Sequence, residues 1–188
     1  MIKINEHYTE IGHNYLFAEV AKRVGEYKAK HPEKTVISLG IGDVTQAIVP
    51  AVIEAIHRAT DEMAHPETLR GYAPYEGYDF LVNAIRKHDY SDRGIAIDAD
   101  EIFVSDGAKS DTGNIGDILD AGNRIAITDP AYPVYVDTNK MAGRKIELVP
   151  CTPENQYVPA FPATVADVIY LCYPNNPTGT VLTKGQLK

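Results

Sequence analysis

The sequence predicts an α/β fold: a mainly parallel sheet with flanking helices, preceded by an N-terminal arm. Three observations carry this. Short apolar and β-branched runs alternate with stretches of helical spacing, each run ends in a turn containing glycine or proline, and helical spacing returns after the turn.

The elements follow in order. Between Tyr15 and Tyr27, Leu16, Phe17, Val20, Ala21 and Val24 recur at helical spacing, which predicts an amphipathic helix. TVISLGIGD, residues 35–43, reads as a buried strand running into a glycine loop. Pro50 suits the first turn of a second helix, with Val52, Ile53, Ile56, Ala59 and Met63 on one face. HPETLRGYAPYEGY is too rich in glycine and proline for anything but loop, and Phe80, Leu81, Ala84, Ile85 and His88 then begin another helical face. Residues 101–119 and 124–143 each read as strand, turn and helix. KIELVP and VIYLC are two more strands, the second ending in the tight turn YPNNPTG. The arm and first strand are expected to occupy 1–48 and the alternating units 49–188.

Bulk properties exclude several classes. A chain of 188 residues that is 44% hydrophobic and 23% charged is globular rather than disordered. The formal net charge is −8 and the basic residues form no stripe, which argues against a nucleic-acid partner. The first residues lack the apolar core of a signal peptide, and no apolar stretch reaches membrane-spanning length; the expectation is a cytoplasmic protein with no membrane partner. Cys151 and Cys172 lack metal-ligand spacing, and Cys172 in its apolar run reads as a buried free thiol. His7, His13, His31, His57, His65 and His88 never form an H-x-x-x-H pair, so no metal site is expected. GIGDVT resembles the start of a dinucleotide fingerprint, but Thr45 stands where a third glycine is required.

Three stretches carry chemistry. In SDGAKSD, residues 105–111, a strand ends, a glycine turns and a helix begins. A helix start directs N–H groups at an anion, and Lys109 adds charge there; the same string also suits an ordinary cap by Asp106 or Ser110. In DPAYPVY, residues 129–135, Tyr132 follows a strand. It therefore lies at the carboxyl edge of the sheet, where ligands of open α/β sheets bind, and its ring can stack on a flat heterocycle or simply pack under a loop. In YPNNPTG, residues 173–179, two prolines and a glycine fix a rigid turn that presents Asn176, whose amide can donate to a phenolate-like oxygen.

In this order SDGAKSD, DPAYPVY and YPNNPTGT resemble the large domain of fold-type I aminotransferases, which use pyridoxal 5′-phosphate. INEHYTEIGHNYLFAEVAKRV, SLGIGDVTQAIVPAVIEA, LRGYAPYEGYDFL and VSDGAKSDTGNI are similar to the LL-diaminopimelate aminotransferase group within that family. One local departure is the very short connection between MAGRK and ELVP, which reads as a missing surface hairpin.

The resemblance implies roles. Ala108 and Lys109 would hold the cofactor phosphate, Lys109 also reaching toward the distal substrate carboxylate. Tyr72 would reach the cofactor of a partner subunit, Tyr132 would stack on the pyridine ring, and Asn176 would bond its 3′-oxygen and help orient the substrate carboxylate. Tyr15 and Gly42 would contact substrate, as would Tyr132. It further implies a homodimer exchanging an amino group between amino-acid and 2-oxo-acid substrates, LL-2,6-diaminopimelate and 2-oxoglutarate in the narrower group, on the route to lysine. Aspartate, or another general class I/II substrate, is the alternative, as is a non-catalytic cofactor-binding fragment.

The resemblance also implies what these residues lack. The family's Schiff-base lysine, the acidic partner of its pyridine nitrogen and the arginine that grips the substrate α-carboxylate all fall beyond the NPTG turn. No lysine here stands in such a context, Lys184 and Lys188 included. The expectation is therefore a truncated large domain, inactive alone, with an unpaired sheet edge and uncovered apolar faces.

Overall fold

The computed structural model describes residues 2–11, 16–39, 44–161 and 166–187, with side chains in the second span described from residue 18. It divides into two compact units, Phe17–Ser105 and the pair Met1–Leu16 with Asp106–Lys188.

The unit Phe17–Ser105 is mostly helical. Helix α1 (Leu16–Lys30) runs past Tyr27, the end expected from its spacing. Helix α2 (Pro50–Glu62) starts with its proline in the first turn, where no intrahelical N–H is lost. The apolar face of α2 is half exposed at Val52, Ile53 and Ile56. Helix α3 (Asp79–Ile85) runs into a wider π-type turn, Arg86–Tyr90. Val82 and Ile102 are the buried apolar side chains of this unit among the described residues. Gly77, at φ +111°, lets the chain press against Val104, whose Cβ would lie 2.9 Å from any Cβ added there.

Two expected strands are not strands here. Residues 35–39 carry no ladder hydrogen bonds, and residues 40–43 lie outside the described residues. Residues 102–105 form no strand either, although the Val104 N–H donates to the Glu76 carbonyl at 2.9 Å. The physical reason is shared: an apolar run becomes a strand only when a neighbour accepts its backbone groups. Ile37, Leu39 and Phe103 instead stay exposed.

The second unit holds the sheet. Strands β1 (Arg124–Asp129), β2 (Lys145–Pro150) and β3 (Val168–Tyr170) are parallel in the order β2-β1-β3, as the alternation predicts. Ile127 pairs with Leu148 on one side and with Tyr170 on the other. As the central strand, β1 is buried on both faces. This explains why its centre, Ile125-Ala126-Ile127, is an unbroken apolar run rather than an alternating one. Asp167 clamps its start: the Arg124 N–H donates to the Asp167 carboxylate at 2.7 Å, and the Asp167 N–H donates to the Arg124 carbonyl at 2.9 Å. β3 ends at Tyr170, before the Cys172 expected for it.

Helix α4 (Ala108–Asn114) continues as a 3-10 turn, Ile115–Ile118, and helix α5 (Pro133–Met141) connects β1 to β2. The end of α5 is closed by a left-handed Gly143 at φ +71°. The Gly143 N–H donates to the Lys140 carbonyl at 2.8 Å and the Arg144 N–H to the Asn139 carbonyl at 3.0 Å, a glycine-terminated helix end. The N-terminal arm forms a 3-10 turn, Glu6–Glu10, against this end. The Asn5 amide donates to the Met141 carbonyl at 2.9 Å, and the His7 ring lies where a side chain at 143 would be. The peptides Asp129–Pro130, Tyr173–Pro174 and Asn176–Pro177 are cis. No helix among the described residues is long and apolar enough to cross a membrane.

Candidate active site

Two of the candidate residues, Tyr132 and Asn176, fall on the turns that leave two neighbouring parallel strands. Because β1 and β3 run the same way, the turn bearing Tyr132 and the turn bearing Asn176 leave the same edge of the sheet. Tyr132 occupies the N-cap of α5, with extended backbone at φ −62°, ψ 126°, and Pro133 starts the helix. Its ring is half-buried and meets Tyr135 edge-on at 6.0 Å; Tyr135 in turn lies against Tyr170 of β3 at 5.3 Å.

Lys109 joins this group directly. Its ammonium sits 5.5 Å from the centroid of the Tyr132 ring, within cation–π range. Lys109 is exposed, as is Ala108, the first residue of α4. The N-cap is Gly107, which brings no side chain to the helix start. Asn176 is exposed at the tip of its turn, while Asn175 beside it is buried.

Asn175 went unread in the sequence. One of its amide hydrogens goes to the Pro130 carbonyl at 3.1 Å and the other to Thr178 Oγ1 at 2.8 Å. Its backbone closes the turn on itself: the Asn175 N–H donates to the Thr180 carbonyl at 2.8 Å, and its carbonyl accepts from the Gly179 N–H at 2.6 Å. The available signal was the doubled asparagine between two prolines, of which only one residue can sit at the tip.

Burial in this unit favours the neutral forms of three groups. Burial, followed by the hydrogen-bonded Cys172 side chain, pushes the Tyr135 phenol up to about 12. Burial likewise raises the Tyr173 phenol and the Cys151 thiol. Cys151 is thus a buried thiol, whereas Cys172, expected to be buried, is only partly so.

The structure therefore brings Ala108, Lys109, Tyr132 and Asn176 into one unit, Lys109 onto Tyr132 by direct contact and Asn176 by way of Asn175. Tyr72 belongs to the other unit and is fully exposed. Tyr15 and Gly42 lie outside the described residues. A cavity of about 380 Å³ lined by Arg23, Val24, Tyr27, Thr35 and Val36 contains none of the candidate residues. A cation, a helix start, an aromatic face and a turn-borne amide form a donor set suited to a flat, anionic heterocycle.

Comparison with known proteins bears on this set. The family profile described as "Aminotransferase class I and II" matches residues 34–188. The whole chain is 73% identical to 47% of the LL-diaminopimelate aminotransferase of Azobacteroides pseudotrichonymphae genomovar. CFP2. It is 52% identical to 48% of the enzyme of that name from Parabacteroides distasonis. Among solved structures, L,L-diaminopimelate aminotransferase from Chlamydomonas reinhardtii superposes with a TM-score of 0.86 at 34% identity, over 99% of this chain and 48% of that one. An aspartate aminotransferase of Thermus thermophilus, at 23% identity and a TM-score of 0.81 over all of this chain and 49% of its own, shares the fold. The chain spans about half the length of the curated relatives it matches.

Proposed function

Since the chain belongs to the class I and II aminotransferase family, we propose that the full protein is a pyridoxal 5′-phosphate-dependent aminotransferase. Its substrates would be LL-2,6-diaminopimelate and 2-oxoglutarate. The observation that carries the reading is the placing of Lys109 on the Tyr132 ring beside the turn of Asn176. When bound, the cofactor supplies an aldehyde that carries the amino group and an electron-poor ring that takes up the electron pair released at the substrate Cα.

The residues present divide the work of holding it. The start of α4 at Ala108, with Lys109, would hold the phosphate, since a helix start and a cation both favour an anion. Tyr132 would lie against the ring. Asn176 would donate its amide to the ring oxygen and help orient the substrate carboxylate. Tyr15 and Gly42 would contact substrate, and Tyr72 would serve the cofactor of a partner subunit in a cytoplasmic homodimer. Residues 1–48 would form the arm and a small-domain segment, and residues 49–188 would belong to the cofactor-binding domain.

No residue of this chain fills the role of proton carrier in the reading. The isolated 188-residue chain is accordingly proposed to be inactive. Two measurements test this. Borohydride reduction of the isolated chain with pyridoxal phosphate should leave no adduct on a specific lysine, and such an adduct would overturn that part of the reading. A coupled assay of the full-length protein should show amino transfer from LL-diaminopimelate to 2-oxoglutarate; a clear preference for aspartate would replace the substrate assignment.

A further inference from the structure

We infer that Asn175 is a positioning residue: its carboxamide ties the turn that carries Tyr132 to the turn that carries Asn176, so that ring and amide meet one planar ligand in fixed register. The inference rests on the cofactor reading above.

The two turns leave different strands, and backbone pairing between β1 and β3 ends at Ile127 and Tyr170. Beyond that point the ladder no longer fixes one turn against the other. Asn175 takes over there. One amide hydrogen reaches the carbonyl of Pro130, two residues before Tyr132, and the other holds Thr178 inside its own turn. Both donors of the side chain are spent, and the residue is 7% exposed. Asn176, its neighbour, is left with its side chain outward. The Asn175 Oδ1 is buried and has no hydrogen-bond partner among the described residues, so what the side chain contributes here is donation.

Aspartate separates donation from shape. An Asn175→Asp carboxylate fills the same volume, but at neutral pH it donates nothing and faces the Pro130 carbonyl with like charge. A purely structural role would lower the melting temperature of the apoprotein and leave the retained protein binding cofactor normally. A positioning role moves cofactor affinity and the asymmetry of the bound ring.

The test uses the full-length apoprotein titrated with pyridoxal phosphate, reading the dissociation constant and the circular dichroism of the bound cofactor, beside thermal melting. Asn175→Asp and Asn175→Ala are expected to weaken binding about tenfold, the equivalent of one net hydrogen bond, and to diminish the cofactor dichroism. Because Asn175 acts through Asn176, Asn175→Asp combined with Asn176→Ala should bind little worse than Asn176→Ala alone. Thr178→Val, close in shape and lacking the hydroxyl that receives the amide, should shift affinity in the same direction by less, and it decides the matter if the Asn175 variants fail to fold. Affinity and dichroism unchanged in these variants, or strictly additive losses in the double variant, would overturn the inference even if melting temperatures fall. A wild-type protein that does not bind pyridoxal phosphate overturns the cofactor reading itself, and that titration precedes every variant.

Discussion

The Lys109 ammonium lies 5.5 Å from the centroid of the Tyr132 ring, so the start of one helix and the N-cap of the next converge on one point. Lys109→Gln is expected to weaken pyridoxal phosphate binding by the full-length protein about ten- to a hundredfold, the range for a hydrogen bond to a charged group. Tyr132→Phe keeps the aromatic face and should change affinity by only a few-fold, whereas Tyr132→Ala removes it. Fluorescence titration of the apoprotein reads all three.

Arg144 is a buried cation held almost wholly by carbonyl oxygens. Its guanidinium donates to Asp120 at 3.2 Å, to Leu119 at 2.6 Å and to Gly116, and also to the Asn139 side chain at 3.2 Å. It thereby closes the C-terminal end of the helical run that begins at Ala108. Arg144→Ala should cost about 3 kcal/mol or more, because several acceptors lose their donor together. Arg144→Lys should recover only part, since an ammonium lacks the planar fork. Urea unfolding measures both.

Gly143 combines a backbone and a contact requirement. At φ +71° an alanine there costs about 1–2 kcal/mol, and its Cβ would come within 2.5 Å of His7 Nε2. Gly143→Ala should therefore destabilise the protein and release the arm from α5, seen as faster amide exchange over residues 5–11. Destabilisation without faster exchange in the arm would mean that the contact contributes nothing.

Tyr135 gives a pH signature. Its phenol is raised from the ordinary 10.0 to about 12, mainly by burial and then by Cys172. The folded protein thus keeps this proton where the unfolded chain has lost it. The contribution to stability is fully present below about pH 10 and is lost as pH rises toward 12. In rapid alkaline titration at 295 nm, Tyr135→Phe should remove one of the last phenolate steps, and Cys172→Ala should bring that step to lower pH. Loss of a step near pH 10 from Tyr135→Phe would count against it.

The sheet around β1 was legible because four successive residues of β1, Ile125 to Thr128, are buried, three of them β-branched, and such a short run leaves little choice of structure. Pro50 was legible as a helix start, since proline declares its position by its missing N–H. Residues 35–39 and 102–105 were misread as strands because periodicity reports what a segment would do given a partner, not whether a partner is there. Lys109, Tyr132 and Asn176 were readable one by one, but the bond between the turns was not. Asn175 donates to a backbone carbonyl, and any residue could have supplied that acceptor. Arg144 was invisible for the same reason.

Helix α5 carries the Tyr132 ring at one end and rests on the Asn5–His7 arm at the other. Nine residues make a rod of about 14 Å, so a tilt of about 5° pivoting at Gly143 displaces the ring by about 1 Å. Misplacement of that size can cost an enzyme about a hundredfold in rate. The helix has the geometry of a lever with the Asn5–His7 arm at its fulcrum, so a substitution in the arm would reach the Tyr132 ring without touching it.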